Sequence, residues 1–165
     1  TTIGKALSKS DEATKVAADV NAKIKAATDP AFKDVKVASA AKFGDAYGAY
    51  LPGDGRFDIL GDLGFVNNPP IASLESNGFF ATVPAEKISS IDADVTVIQP
   101  IGFTLEQTKS DKLISSLKVV KDGRAIFLDP ESELYGAWGA SSALSIPVVL
   151  DQLTPQLAEA VKKIG

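Results

Sequence analysis

The chain has 165 residues, 45% of them hydrophobic and 23% charged, a length and balance that suit one domain with a substantial core. Its net charge of −4 and pI of about 4.8 exclude nucleic acid as the main partner, because phosphate recognition needs a basic face. The absence of cysteine and histidine excludes thiol nucleophiles, disulfides, common zinc sites and the usual general base together.

No run approaches the roughly 18 apolar residues that span a bilayer. No signal peptide is present, and Thr1 stands where Met would begin a fresh translation product, so a processed product or an excised piece is expected. Residues 1–9 carry Ile3 and Leu7 one helical turn apart. Ser10 is the expected N-cap of a helix whose face repeats Ala13, Val16, Val20, Ile24 and Ala27. Asp29-Pro30 stops it. VKVASAAKF (35–43) reads as a buried strand, and 44–55 as a glycine-rich loop. A short helix over 56–64 carries Phe57, Leu60 and Leu63. Residues 66–77 read as irregular and 79–82 as a short strand, and Pro84 opens a helix through AEKISSI. DVTVIQP (94–100) is a second buried strand. A broken helix over 105–117 leads to a KDGR turn and a third strand, AIFLD (125–129). The last helix is expected over 143–164, with Pro147 in its first turn.

Strands alternating with helices predict an α/β fold in three layers, with a mostly parallel sheet covered on both faces. Right-handed crossovers put the strand C-termini on one rim, where ligands of such sheets bind. The loops leaving the three strands carry Phe43, Tyr47 and Tyr50, then Phe103, then Tyr135 and the single tryptophan, Trp138. The opposite loops, IDAD and KDGR, carry no aromatic residue. Tyr47, Tyr50, Phe103, Tyr135 and Trp138 are therefore candidate ligand contacts, and Arg56 is a candidate partner for an anionic group. Core capping for the aromatics and a solvated helix start for Arg56 are the competing readings. The acidic pairs Asp92/Asp94 and Glu131/Glu133 lack the company a hard cation needs and are expected to be solvated. Nothing gathers two carboxylates for acid–base work. The glycines of GDGRFDILGDLG match neither a P-loop nor a dinucleotide fingerprint. An enzyme is not expected.

VPAEKISSIDADVTVIQP (83–100), FDILGDLGFVN (57–67) and VKDGRAIFLD followed by an aromatic-glycine loop and a helix with PVVLDQLTPQL (147–157) have an order that resembles the helical-backbone substrate-binding proteins of ABC importers. These bind iron siderophores, haem and vitamin B12. The resemblance covers nearly the whole chain but only the second of the family's two lobes. It implies that residues 1–9 are the tail of the helix joining the lobes and 10–165 the C-terminal lobe. It further implies an extracytoplasmic location, in the periplasm or on a cell-surface lipoprotein, and a ferric siderophore as ligand. Partners would be the missing N-terminal lobe and a membrane permease, docked through Glu86 at the start of the AEKISSI helix. No cofactor is expected, since iron would arrive only as the chelate. With two arginines in the chain, a chelate of low charge is favoured. A haem or corrinoid binder of the same fold, or a receptor or interaction domain outside transport, is the alternative. For haem, tyrosine is the single usual axial ligand type available here.

Overall fold

The computed structural model describes residues 2–164; Thr1, Gly165 and the side chain of Ile3, which fall within the predicted 1–9 and 10–165 segments, lie outside the described residues. Helix α1 (Thr2–Ala6) is followed by a turn through Ser8, whose φ of 54° is left-handed, and then by α2 (Ser10–Ala27). Ser10 is the first helical residue rather than the cap. No side chain caps α2, although Asp11 and Glu12 place negative charge at its positive end. Asp29 accepts the Ala31 N–H at 2.8 Å and starts a 3₁₀ turn, Pro30–Phe32, that carries the chain into the sheet.

Strand β1 (Lys36–Phe43) is buried from Val37 to Lys42, and its alanines and Ser39 let other layers approach on both faces. The stretch expected as a loop is in part a strand: Gly44 turns the chain at φ 48°, and β2 (Ala46–Tyr50) runs back antiparallel to β1. Its alternating small and aromatic residues pack a two-sided sheet, a pattern that the surrounding glycines obscure. Helix α3 (Gly55–Asp62) is capped by Asp54. The segment expected to be irregular contributes β3 (Val66–Asn67), a 3₁₀ segment (Pro69–Ser73) and β4 (Ser76–Asn77), which pairs with β5 (Phe80–Val83). AEKISSI is a 3₁₀ segment, Ala85–Ile91, with non-helical dihedrals at Lys87, rather than an α-helix. Strand β6 (Val95–Ile101) leads to the short helices α4 (Leu105–Lys109), α5 (Lys112–Ser116) and α6 (Lys118–Lys121), and then to β7 (Ala125–Phe127). Helix α7 (Glu133–Ala140) takes up the aromatic-glycine stretch. Helix α8 (Ile146–Val161) starts three residues later than expected and tolerates an internal Pro155.

The sheet order is β4-β5-β2-β1-β6-β7, with β3 beside the first residues of β1. β1 pairs in parallel with β3 and β6, and β6 with β7, so Phe43, Ile101 and Phe127 end on one rim. The antiparallel strands β2, β5 and β4 form a wing on one side. Helices α2, α3, α7 and α8 cover one face over Val37, Ala41, Val95, Val97 and Ile126. The 3₁₀ segments Pro69–Ser73 and Ala85–Ile91, with α5–α6, cover the other over Ala38, Ala40, Ala49, Val83 and Ile98.

The rim at the strand N-termini is held by charged side chains. Asp92 accepts the Lys118 and Val119 N–H groups, and Asp94 accepts that of Lys36. Arg124, 7% exposed, donates to the carbonyls of Ala93 and Asp94 and to Asp122. Asp92 and Asp94 are thus framework residues rather than solvated ones, because strand starts leave backbone donors that a carboxylate can satisfy.

Candidate functional site

Residues expected on one rim fall on the two faces of the sheet, because side chains along a strand alternate. Tyr50 and Tyr47, three apart on β2, belong to opposite cores. On the face covered by α3 and α7, Tyr50 sits beside Phe80 of β5, with ring centroids 5.2 Å apart, and Phe80 contacts Phe43 at 5.7 Å. Gly48 makes this possible. A Cβ there would meet the tip of the Phe80 ring at 2.0 Å, so the ring lies where any other residue would project a side chain. The Tyr50 hydroxyl donates to Gln99 of β6 at 3.2 Å. The Tyr135 hydroxyl donates to the Pro100 carbonyl at 2.6 Å, which fixes the start of α7 against the end of β6.

Arg56, in the first turn of α3, lies with its guanidinium carbon 3.7 Å from the Tyr50 ring centroid. Its Nε and Nη2 donate to the two oxygens of Asp54 at 2.8 and 2.9 Å, and its backbone N–H donates to Asp54 Oδ1 as the helix cap. Burial alone would push the Asp54 carboxyl up; the Arg56 hydrogen bonds and charge outweigh it and hold the group below the usual carboxylate range. The Asp54 hydrogen bond in turn raises Arg56, against its desolvation. Burial raises Tyr50, and the Arg56 charge opposes this. Phe43, Phe80, Arg56 and Tyr135 are each half-buried, and together they form an aromatic patch with one guanidinium.

Tyr47 is 5% exposed and its hydroxyl donates to both oxygens of Asp111 at 2.9 Å. Burial first, then the Asp111 hydrogen bond and the charges of Asp111 and Asp45, push Tyr47 up to about 12. Beside it the Lys42 ammonium donates to the Gly44 carbonyl at 2.5 Å. It lies 4.7 Å from the Tyr47 ring centroid and 4.8 Å from that of Phe103. Phe103 is half-buried at the mouth of a recess of about 460 Å³ between the loops that follow β6 and β7. A larger recess, about 570 Å³, lies at the opposite rim among Lys36, Asp92, Asp94, Lys118 and Arg124.

Three of the expected contacts do not face a cleft. Trp138 has no exposed surface; it follows Leu134 and Ala137 on the inner face of α7 and packs in the core. Tyr47 and Tyr50 are each 5% exposed, one anchored on Asp111 and the other carrying Arg56 on its ring. The glycines around these aromatics sit within a strand and a helix instead of opening a loop, and Gly48 clears space for the Phe80 ring. Arg56, Tyr135 and Phe103 remain at the surface, the first two on one patch and Phe103 across the rim. Glu86 is exposed in the first turn of the 3₁₀ segment, and its carboxylate makes no hydrogen bond or ion pair with the described residues. Sequence reading missed Phe80, Asp54, Gln99 and Lys42. For Phe80 a signal existed, since Gly78-Phe79-Phe80 is a turn followed by two large aromatics.

The chain is thus an α/β lobe with helices on both faces of a mixed sheet and an aromatic patch between α3, α7 and the sheet. The model of the Periplasmic binding protein family matches residues 1–132, and the chain belongs to that family, one of binding proteins rather than enzymes. No curated protein sequence matches the chain. Among solved structures, a periplasmic solute binding protein from Mycobacterium smegmatis is 29% identical, with a TM-score of 0.79 over 98% of this chain and 55% of its own. PiaA from Streptococcus pneumoniae in complex with ferrichrome is 23% identical, with a TM-score of 0.77 over 98% of this chain and 57% of its own. FhuD2 from Staphylococcus aureus with bound ferrioxamine B is 20% identical, with a TM-score of 0.74 over 97% and 63%. The last two support the fold alone. The chain thus spans between half and two thirds of the length of these proteins.

Proposed function

We propose that this chain is the second lobe of an extracytoplasmic binding component of an ABC importer, and that it supplies half of a site for a ferric siderophore. The observation that carries the reading is the patch of Phe43, Phe80 and Tyr135 with Arg56 stacked on Tyr50. Aromatic faces bury the organic arms of a chelate, each contact adding about 1 kcal/mol beyond its area. A fixed guanidinium can donate to the oxygens around the metal. The siderophore brings its own iron ligands, so the protein needs no metal-binding side chains. Phe103 contributes at the far edge of the rim. Iron hydroxamates are the ligand class that PiaA with ferrichrome and FhuD2 with ferrioxamine B bring to mind for this chain. Helix α1 is the tail of the segment leading to the other lobe, which closes the second side of the site.

Glu86, exposed and unpaired, is the docking contact for a permease arginine, which can grip a carboxylate with two parallel hydrogen bonds. The test is iron uptake from a trihydroxamate in cells carrying variants of the protein. Arg56→Ala should lower both chelate binding and uptake. Glu86→Arg should leave binding intact and reduce uptake. Normal uptake with Arg56→Ala counts against the site, and normal uptake with Glu86→Arg counts against the docking role.

A further inference from the structure

The one cation on the aromatic patch is not free. Arg56 gives two parallel hydrogen bonds, 2.8 and 2.9 Å long, to the two oxygens of Asp54. Both side chains are largely shielded, with 24% and 18% of their surface exposed. Asp54 is locked from a second direction, because Oδ1 also caps α3 through the Arg56 N–H at 2.9 Å. The flat face of the guanidinium is against Tyr50. The other residues of the patch, Phe43, Phe80, Gln99 and Tyr135, are uncharged.

We propose that Asp54 sets the charge selectivity of the ligand site. By pairing with Arg56 at two points it leaves the patch with hydrogen-bond donors but no net charge. The site then favours a neutral chelate over a polyanionic one. This rests on the siderophore reading above and names its specificity-determining residue.

Charge and donor geometry are separable here. An arginine facing the ligand alone would attract a trianionic tris-catecholate more than a neutral trihydroxamate. With the carboxylate fixed on its inner edge, the field at the patch is that of a dipole, which falls off faster than that of a charge. The Arg56 hydrogen bonds hold the Asp54 carboxyl below the usual carboxylate range, against its burial, and so favour the ionised form of the pair. The net charge of −4 on the whole chain acts in the same direction.

Asp54→Asn isolates the effect. Asparagine caps a helix as well as aspartate does and keeps an oxygen to accept from Arg56, so the fold is expected to persist. Three gallium(III) chelates serve as probes: neutral desferriferrichrome, cationic desferrioxamine B and a trianionic tris-catecholate. Each is titrated into wild type, Asp54→Asn and Arg56→Gln and followed by NMR. Exposing one unit charge about 8 Å from a trianion at partly buried screening should tighten the tris-catecholate about tenfold or more in Asp54→Asn. The neutral chelate should change less than about twofold, and the cationic one should weaken. Arg56→Gln should move the trianion the opposite way. Equal shifts for all three chelates, or no gain for the trianion, overturn the proposal. If wild type binds none of the chelates at millimolar concentration, the siderophore reading fails by itself. Sulfate then decides the role of Asp54: it should shift the Arg56 guanidinium signals in Asp54→Asn and leave them unmoved in wild type. Equal response, or none in either protein, overturns it.

Discussion

Gly48→Ala tests the packing that builds the patch. The new methyl group would sit 2.0 Å from the Phe80 ring tip and 2.5 and 2.8 Å from its neighbouring ring carbons, well inside contact distance. The backbone of β2 and β5 is paired at Tyr50↔Phe80, so the ring moves rather than the strand. A displaced ring forfeits its contacts to Tyr50 and Phe43, at 5.2 and 5.7 Å. At about 1 kcal/mol each, that is about 2 kcal/mol. Alanine is preferred over glycine inside a strand by roughly 0.5–1 kcal/mol, which offsets part of the loss. The variant should therefore be about 1–1.5 kcal/mol less stable, a drop of about 4 °C in Tm for a chain of this size. Guanidinium unfolding followed by circular dichroism measures it. In a Phe80→Ala background the sign should reverse, and Gly48→Ala should stabilise by roughly 0.5–1 kcal/mol. A Gly48→Ala protein as stable as wild type with Phe80 present refutes the reasoning.

Tyr47 makes stability fall at high pH. Its folded pKa of about 12 lies above the ordinary 10, so the native state holds the proton more tightly. The contribution is complete below pH 10 and is lost as pH rises through 12, about 2–3 kcal/mol in all. Tyr47→Phe should flatten that part of the stability–pH curve relative to wild type; parallel curves would contradict the assignment. Trp138 should resist acrylamide and iodide quenching in the native chain, as a residue with no exposed surface must. Quenching as fast as in the unfolded chain would return it to the surface. Arg124→Ala strands two inward-facing carbonyls and should cost about 2–4 kcal/mol while leaving chelate binding unchanged, since it acts at the opposite rim. A loss of binding at unchanged stability would move the site there.

The parallel strands β1, β6 and β7 were legible because apolar runs such as VKVASAAKF and DVTVIQP have few other ways to be satisfied. The wing was not. AYGAY reads as a loop because its glycine is a breaker by propensity, whereas in the sheet Gly48 is the seat for a ring from β5, a contact 32 residues away in sequence. ELYGAWGA reads as a loop for the same reason, yet Ser132 caps it and Leu134, Ala137 and Trp138 form a helical buried stripe. That stripe was present in the sequence at the right spacing. What sequence could not supply was the alternation of faces across strands, which puts Tyr47 with Lys42 and Tyr50 with Arg56. The pairing of Arg56 with Asp54 was within reach, since Asp-Gly-Arg at a helix start offers both the cap and the ion pair.

Chemical-shift mapping on the labelled chain, titrated with the gallium chelate of a trihydroxamate, tests the central claim most directly. The account predicts that the largest changes gather at Phe43, Gly48, Arg56, Phe80 and Tyr135, with Lys36, Asp94 and Arg124 unmoved. No change at millimolar chelate, or changes gathered around Lys36, Asp94 and Arg124, would contradict it.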